Sequence, residues 1–241
     1  MKKLMIILCV TSIALLAVSF VSIKKAPHVL VYSKTMGFHH ASIPAGIAAI
    51  QKLGLENNFK VDTTTDASYF SPETLKKYDA VIFLNTTGNV LDDAQQAVFE
   101  KYIQSGKGFV GVHAATDTEY DWPWYNQLVG AYFKSHPRQQ DAVLTITDPT
   151  HLSTKHLPAT WKRYDEWYNF KSIQPGLNVL ITIDEKSYTG GENGETHPMA
   201  WYHDFDGGRA FYTEFGHTDE SYKDPFYLQH LLGGIQYAIT Q

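Results

Sequence analysis

The chain has 241 residues, of which 44% are hydrophobic and 14% aromatic, so it is long and apolar enough to form a substantial core and is not expected to be disordered. Its formal net charge of -5 disfavours a polyanionic partner, and nucleic-acid binding is therefore not expected. The single cysteine, Cys9, lies in the N-terminal apolar run, which excludes disulfides and excludes a catalytic thiol or thiolate metal site from the rest of the chain.

The first 23 residues have the pattern of an export signal. Lys2 and Lys3 precede an apolar run over residues 4–23, as the n-region and h-region of a signal peptide do. Small residues at positions 17 to 19 favour cleavage, whereas the length of the run, roughly 20 residues, would also suit an uncleaved membrane tether. We expect residues 27–241 to form the exported domain, in the periplasm or on the outer face of the cytoplasmic membrane.

From residue 27 onward, short apolar runs rich in β-formers alternate with longer amphipathic runs, which is typical of a parallel sheet covered by helices. Helices are predicted to begin at Ser42, Ser71 and Asp92, the last of them ending before Gly106. The strands predicted in this half are residues 28–33, 59–63, 79–84 and 109–112.

The second half of the chain is less regular. Residues 206–208, Asp-Gly-Gly, indicate the turn of a hairpin, and residues 227–239 are predicted to form a closing helix. Neither repeats nor a linker interrupt the sequence, which favours a single domain. The strands predicted in this half are residues 142–147, 179–183, 199–203 and 209–214.

Two common enzyme motifs are absent or out of place. Residues 106–111 match the G-x-G-x-x-G dinucleotide fingerprint, but they end a predicted helix and enter a strand. Because that fingerprint must follow a strand and open a helix to bind pyrophosphate, no nucleotide cofactor is expected. The serine-hydrolase pattern G-x-S-x-G is missing, and His113 occupies the corresponding turn after a strand.

Several histidines follow predicted strands. His39 and His40 follow the first strand, His113 follows the fourth, and His217 follows the hairpin. Open parallel sheets bind ligands at the carboxyl ends of their strands, and imidazole is the side chain whose ordinary pKa lies nearest neutrality. We therefore predict one acid-base or ligand-binding cleft there, with His113 and His217 as catalytic groups. The alternative for each histidine is a packed, hydrogen-bonded core position.

Two clusters, residues 117–125 and 164–170, combine aromatic and acidic side chains. Flat aromatic rings suit the C–H faces of sugars, and carboxylates accept hydrogen bonds from sugar hydroxyls. Asp117 and Glu166 are candidates for general acid-base or hydroxyl-binding groups, while the aromatic residues could equally complete the core. A glycosidase would need two carboxylates at a defined separation.

A divalent metal site without a local spacing motif is a further alternative, because imidazole and carboxylate ligands suit zinc or manganese. Its candidate ligands are His39, His40, His113, Glu166, His197 and His217.

The chain resembles the trehalose-utilisation, or ThuA-like, family. This resemblance implies a fold similar to class I glutamine amidotransferases, an α/β flavodoxin-like three-layer sandwich with a mostly parallel central sheet. Those relatives carry a cysteine at the turn that His113 occupies here, so thiol-based amide transfer is not expected. The family is associated with the breakdown of disaccharides, including routes through 3-keto sugars. The matching blocks are residues 37–42, 108–118, 124–131, 136–140, 165–168, 197–201 and 208–217.

The sequence thus predicts an exported α/β protein that binds a small sugar or oxidised sugar derivative and acts on it by hydrolysis, elimination or enolisation. Non-catalytic carbohydrate binding and metal-dependent hydrolysis are the alternatives. The predicted catalytic residues are His113, His217, Glu166 and Asp117. The predicted lining residues are His39, His40, Trp124, His136, Trp167, Tyr168 and His197.

Overall fold

The computed structural model describes residues 25–240, which contain five α-helices and eleven strands. The helices are Ile43–Glu56 (α1), Pro72–Leu75 (α2), Asp93–Gln104 (α3), Pro123–Val129 (α4) and Pro225–Ile239 (α5). The strands are His28–Tyr32 (β1), Lys60–Thr64 (β2), Ala80–Leu84 (β3), Gly108–Val112 (β4), Tyr132–Ser135 (β5), Gln140–Ile146 (β6), Thr160–Asp165 (β7), Asn169–Lys171 (β8), Asn178–Ile183 (β9), Pro198–Phe205 (β10) and Gly208–Thr213 (β11). The predicted export segment, residues 1–23, lies outside the described residues.

Nine strands form the main sheet, in the order β2-β1-β3-β4-β11-β10-β9-β6-β7. The first five strands of that order run parallel, and the remaining four extend the sheet by antiparallel pairing. β3 and β4 are buried along their whole length, as expected for parallel strands covered on both faces. β5 and β8 pair separately as a small antiparallel sheet.

Helices cover both faces of the parallel part of the sheet. Successive side chains of a strand point to opposite faces, and the last two residues of β3 show where each face packs. Phe83 stacks on Phe99 of α3, with ring centroids 5.5 Å apart. Leu84 points to the other face, where its methyl carbons would lie 3.0 Å from a Cβ placed on Gly46 of α1. This layering confirms the predicted three-layer α/β class.

The predicted strands coincide with observed ones to within about two residues at each end. Four elements were not predicted, namely α4, β5, β7 and β8. In β7 the exposed Lys162 and Tyr164 alternate with the buried Trp161, Arg163 and Asp165. Such a polar edge strand has no continuous apolar run to reveal it.

The topology brings the carboxyl ends of five strands to one edge of the sheet. β1, β3, β4 and β11 are parallel, and β7 runs in the same direction because four antiparallel pairings separate it from β11. The loops after these strands carry the predicted catalytic groups. Within residues 25–240, none of the helices has the length and hydropathy needed to cross a membrane.

Candidate functional site

His113 lies at the turn directly after β4, with a φ of +49° in the left-handed region. Non-glycine residues in that region cost on the order of 1–3 kcal/mol and occur often at functional sites. The ring is fully buried, and its Nδ1 lies 2.6 Å from the backbone carbonyl oxygen of Glu214. Because a carbonyl only accepts hydrogen bonds, Nδ1 carries the proton and the Nε2 lone pair faces the neighbouring side chains.

Glu166, one residue beyond β7, holds a carboxylate in contact with three imidazoles. Its Oε2 lies 3.0 Å from His217 Nδ1 and 3.5 Å from His113 Nε2. Its Oε1 lies 3.1 Å from Nδ1 of His136. The rings of His113 and His217 also approach each other, with Nε2 and Nδ1 separated by 3.3 Å. Four predicted site residues therefore meet, although they come from widely separated parts of the chain.

The charges of this cluster support one another. Burial favours the neutral acid of Glu166, but hydrogen bonding with His113 and His217 outweighs burial and holds the pKa of that carboxyl well below its usual range. Burial would likewise lower the pKa of His217, but the hydrogen bond to Glu166 and its negative charge raise this pKa above its usual value. The result is a charged Glu166–His217 pair on the wall of a cavity.

His40 completes the group from the loop after β1. Its ring packs edge-on against His113 and His217, with centroid separations of 4.9 and 5.2 Å. Burial, followed by the neighbouring imidazoles, lowers the pKa of His40 to about 2, so its ring stays neutral. Its buried Nδ1 finds no hydrogen-bond partner among residues 25–240. The His40 ring therefore offers an uncommitted nitrogen.

Asp165 holds the loops of the site together. Its fully buried carboxylate accepts a hydrogen bond from the backbone amide of Glu166 at 3.0 Å and from that of Gly216 at 3.3 Å. Arg163 donates to the same carboxylate at 3.0 Å and compensates its charge. One side chain thus sets the positions of Glu166 and of the segment that carries His217.

Gly216 makes the close turn before His217. Its φ of +117° favours glycine, and a Cβ at this position would lie 2.7 Å from the hydroxyl oxygen of Tyr222. Its carbonyl accepts hydrogen bonds from Ser42 Oγ at 3.0 Å and from Asn85 Nδ2 at 3.4 Å. Ser42 therefore uses its hydroxyl to tie the loops together, and makes no side-chain cap of α1.

A cavity of about 250 Å³ opens beside these residues. Asp117, which follows the turn after β4, also borders it. Burial raises the pKa of Asp117, although the Tyr120 hydroxyl donates a hydrogen bond of 2.6 Å that works in the opposite direction. The lining residues are Phe38, His40, Asp117, Phe133, His136, Glu166, Tyr168 and His217.

The sequence model of a family described as trehalose utilisation matches residues 28–238. This chain belongs to the ThuA-like family. It is similar to the structure of a ThuA-like protein from Bacteroides uniformis, with 27% identity over 89% of this chain and 93% of that one, at a TM-score of 0.75. A ThuA-like protein from Parabacteroides merdae has 23% identity, coverages of 90% and 91%, and a TM-score of 0.74.

The wider fold of this ThuA-like chain is that of the glutamine amidotransferase-like superfamily. A GMP synthase subunit from Thermoplasma acidophilum has 11% identity, coverages of 88% and 96%, and a TM-score of 0.50, a likeness of fold alone. No curated protein matches the chain at a significant level.

Four predicted lining residues of the ThuA-like chain lie outside the cavity, and their assignment is corrected here. His39 is exposed and contacts Thr35. The indole of Trp124 donates to Asp206, in the turn between β10 and β11 at the opposite edge of the sheet. Both residues therefore face away from the imidazole cluster.

The other two corrections concern buried residues with structural partners. Trp167 is fully buried and donates to the backbone carbonyl of Gln140 at 2.8 Å. His197 is held between Glu185 and the backbone carbonyl of Tyr168, at 2.8 Å from each. Neither ring reaches the cavity wall.

Sequence reasoning missed four residues that shape this site, namely Asp165, Glu214, Phe38 and Phe133. Glu214 directly follows β11, whose last residue pairs with the last residue of β4, so its place opposite His113 was accessible from strand-end positions. Burial, together with the charge of Asp165, raises the pKa of Glu214 well above its usual value. Asp165 gave no comparable signal, because β7 was not predicted.

Proposed function

We propose that this ThuA-like chain is an enzyme that transfers protons on a small carbohydrate or oxidised sugar bound in the cavity. The observation that carries the proposal is the Glu166 carboxylate, which contacts His113, His136 and His217 at the cavity wall. Imidazoles and carboxylates are the side chains that enzymes use most often for general acid-base catalysis. Asp117 borders the same cavity and supplies a second carboxyl group.

The cavity suits a small polyol with apolar faces. The rings of Phe38, Phe133 and Tyr168 line it and offer flat surfaces to sugar C–H groups. Its volume of about 250 Å³ is smaller than the roughly 300–1,000 Å³ of pockets for drug-sized ligands. These features favour one sugar ring as the bound unit. The family description, trehalose utilisation, supports a disaccharide or its 3-keto form as the source of that ring.

The chemistry that fits best is removal of a proton from the carbon next to a keto group. In a 3-keto glycoside, a base of the Glu166–imidazole cluster takes the C2 proton. Either the electron pair moves to the C3 oxygen, which is reprotonated as the enol, or a C1–C2 double bond forms while the C1–O bond breaks. In the second case the leaving oxygen takes a proton from an acidic group of the site, for which Asp117 is the candidate.

Product analysis tests the proposal directly. Disaccharides and their 3-keto forms are incubated with the chain in D₂O, and NMR follows substrate loss and deuterium uptake at C2. Glu166→Gln is expected to reduce turnover by at least about 100-fold, the contribution of a general acid-base group. The matched control is Glu192→Gln, which removes an exposed carboxylate paired with Lys134. Binding of these sugars without any consumption would overturn the enzymatic proposal and leave a carbohydrate-binding protein.

The export pattern of residues 1–23 supports action outside the cytoplasm. Cell fractionation tests this part of the proposal. The protein should be recovered from the periplasm or the membrane fraction, and recovery from the cytoplasm would contradict it.

A further inference from the structure

We propose that His40, His113, Glu166 and His217 form a binding site for a single divalent transition-metal ion, with zinc as the best match. One potential ligand atom from each of these residues lies within 4.8 Å of the others. The site shares the cavity of the proposed enzyme, but ion binding does not depend on which sugar, if any, is turned over.

The separations between ligand atoms match those of a metal site. Zinc bonds to nitrogen and oxygen of about 2.0–2.1 Å place the corners of a tetrahedron about 3.3–3.4 Å apart. The observed separations are 3.0 Å from His217 to Glu166, 3.3 Å from His217 to His113, and 3.5 Å from His113 to Glu166. Three ligand atoms therefore already stand at coordination spacing.

The orientation of these ligands is fixed by the neighbouring groups. Metal-bound histidines usually donate their second ring nitrogen to a carbonyl or carboxylate, which aims the other nitrogen at the ion. His113 does so through the 2.6 Å contact of its Nδ1 with the backbone carbonyl of Glu214. The carboxylate of Glu166 is positioned in the same way, because His136 contacts its Oε1 and leaves Oε2 toward the cluster.

His40 supplies the independent sign of a missing ligand. A buried polar atom without a partner is costly, and it usually indicates an unfilled interaction. The buried Nδ1 of His40 has no partner among residues 25–240, while its ring packs against His113 and His217. Three imidazoles and one carboxylate form a donor set that suits zinc, iron or nickel far better than magnesium or calcium.

An ion at this point would extend the proposed function, on which this step alone rests. It would act as a Lewis acid toward a keto or hydroxyl oxygen of the sugar in the adjoining cavity. Asp117 and His136, which line that cavity without belonging to the four ligands, would remain available to exchange protons.

Adjacent histidines provide a matched test. The chain is stripped of metal with a chelator, and Zn²⁺ or Co²⁺ is then added in a calorimetric titration. About one ion per chain should bind. His40→Gln should weaken zinc affinity by at least about 100-fold, since even residues that only orient ligands contribute 10–100-fold. His39→Gln removes an exposed imidazole one residue away and should leave the affinity unchanged.

A second measurement needs no variant and so does not depend on the folding of His40→Gln. In the wild-type chain, Zn²⁺ should shift the side-chain ¹⁵N NMR signals of His40, His113 and His217 and leave that of His39 in place. The inference is overturned if those signals stay unchanged at saturating zinc, or if His40→Gln and Glu166→Gln both bind zinc as tightly as the wild type. These titrations contain no sugar. An ion-binding chain that never consumes sugar would therefore overturn the proposed function alone, and Glu166-dependent turnover without zinc binding would overturn the metal site alone.

Discussion

The Nδ1 nitrogen of His113 lies 2.6 Å from the backbone carbonyl oxygen of Glu214, and this contact joins the turns after two adjacent parallel strands. The register of β4 and β11 pairs Val112 with Thr213, so the next residue of each strand stands opposite the other. The sheet itself therefore fixes the tautomer and direction of the His113 ring. Its Nε2 is directed to Glu166 and His217 before any ligand arrives.

Replacing His113 by asparagine separates chemistry from backbone strain. Asparagine tolerates the left-handed region, so His113→Asn should fold, whereas His113→Ala should be less stable than His113→Asn by about 1 kcal/mol. Both variants remove Nε2, and turnover should fall by about 100- to 10,000-fold in each. Urea unfolding and steady-state kinetics measure the two effects. Turnover near the wild-type level in His113→Asn would show that this imidazole plays no catalytic part.

Strand-end reasoning predicted the site to the extent that the strands themselves were recognisable. The apolar runs that became β1, β3 and β4 placed His40 and His113 at one edge, and the hairpin that ends in β11 placed His217 there. Trp124, Trp167 and His197 were misplaced because residue type alone cannot show which way a ring turns. Trp167, for example, directly follows Glu166 in sequence, yet its indole is fully buried against Gln140 while Glu166 faces the cavity.

Asp165 should contribute more to stability than its neighbouring acid Asp224, although both pair with Arg163. Asp165 is fully buried and also accepts from the backbone amides of Glu166 and Gly216. Removing one partner of a buried ion pair costs about 3–5 kcal/mol, and we expect about 3 kcal/mol for Asp165→Asn because Arg163 keeps its second partner.

Asp224→Asn is the matched control. The side chain of Asp224 is 28% exposed, and asparagine caps a helix as well as aspartate does, so α5 keeps its cap. The expected loss is about 1 kcal/mol or less. Urea unfolding compares the two variants. Equal losses would show that Asp165 does not organise the loops as described.

The Tyr120 hydroxyl should influence any reaction step in which Asp117 exchanges a proton. Burial raises the pKa of Asp117, and the 2.6 Å hydrogen bond from Tyr120 restrains that rise by stabilising the charged carboxylate. Tyr120→Phe removes the donor, so the pKa of Asp117 should rise further. The limb of the kcat/KM profile that Asp117 controls should then move to higher pH, whether the group acts as acid or base.

Tyr132→Phe is the control for this experiment, because the hydroxyl of Tyr132 donates to the backbone carbonyl of Glu119 instead of to Asp117. Its profile should coincide with that of the wild type. If Tyr120→Phe leaves both limbs unmoved while Asp117→Asn abolishes one of them, the hydrogen bond does not tune Asp117.

The chain should lose stability on mild acidification, and the buried His230 of α5 accounts for a defined share of the loss. Its ring lies fully buried between the backbone carbonyl of Ser153, 2.9 Å from Nδ1, and the hydroxyl of Thr213, 3.1 Å from Nε2. Burial lowers the pKa of His230 to about 3, whereas an unfolded histidine titrates near 6.5.

The sign of the effect follows from these two pKa values. Above about pH 6.5 the His230 ring is neutral in both states, and its contribution to stability is fully present. As the pH falls from about 6.5 toward 3, the unfolded chain takes up a proton that the folded chain cannot, so the free energy of unfolding declines by about 1.4 kcal/mol per pH unit from this residue. Between about pH 7.5 and pH 5, His230 should therefore account for a loss of about 2 kcal/mol.

Urea unfolding at those two pH values measures the loss, and His230→Gln should reduce it by about 2 kcal/mol because glutamine does not titrate. His40, which is also buried with its pKa lowered to about 2, contributes in the same direction and keeps part of the acid sensitivity in the variant. The control is His39→Gln, which removes an exposed ring and should retain the wild-type difference between the two pH values. An unchanged difference in His230→Gln would mean that the His230 ring is protonated in the folded chain, against the position its buried hydrogen bonds assign to it.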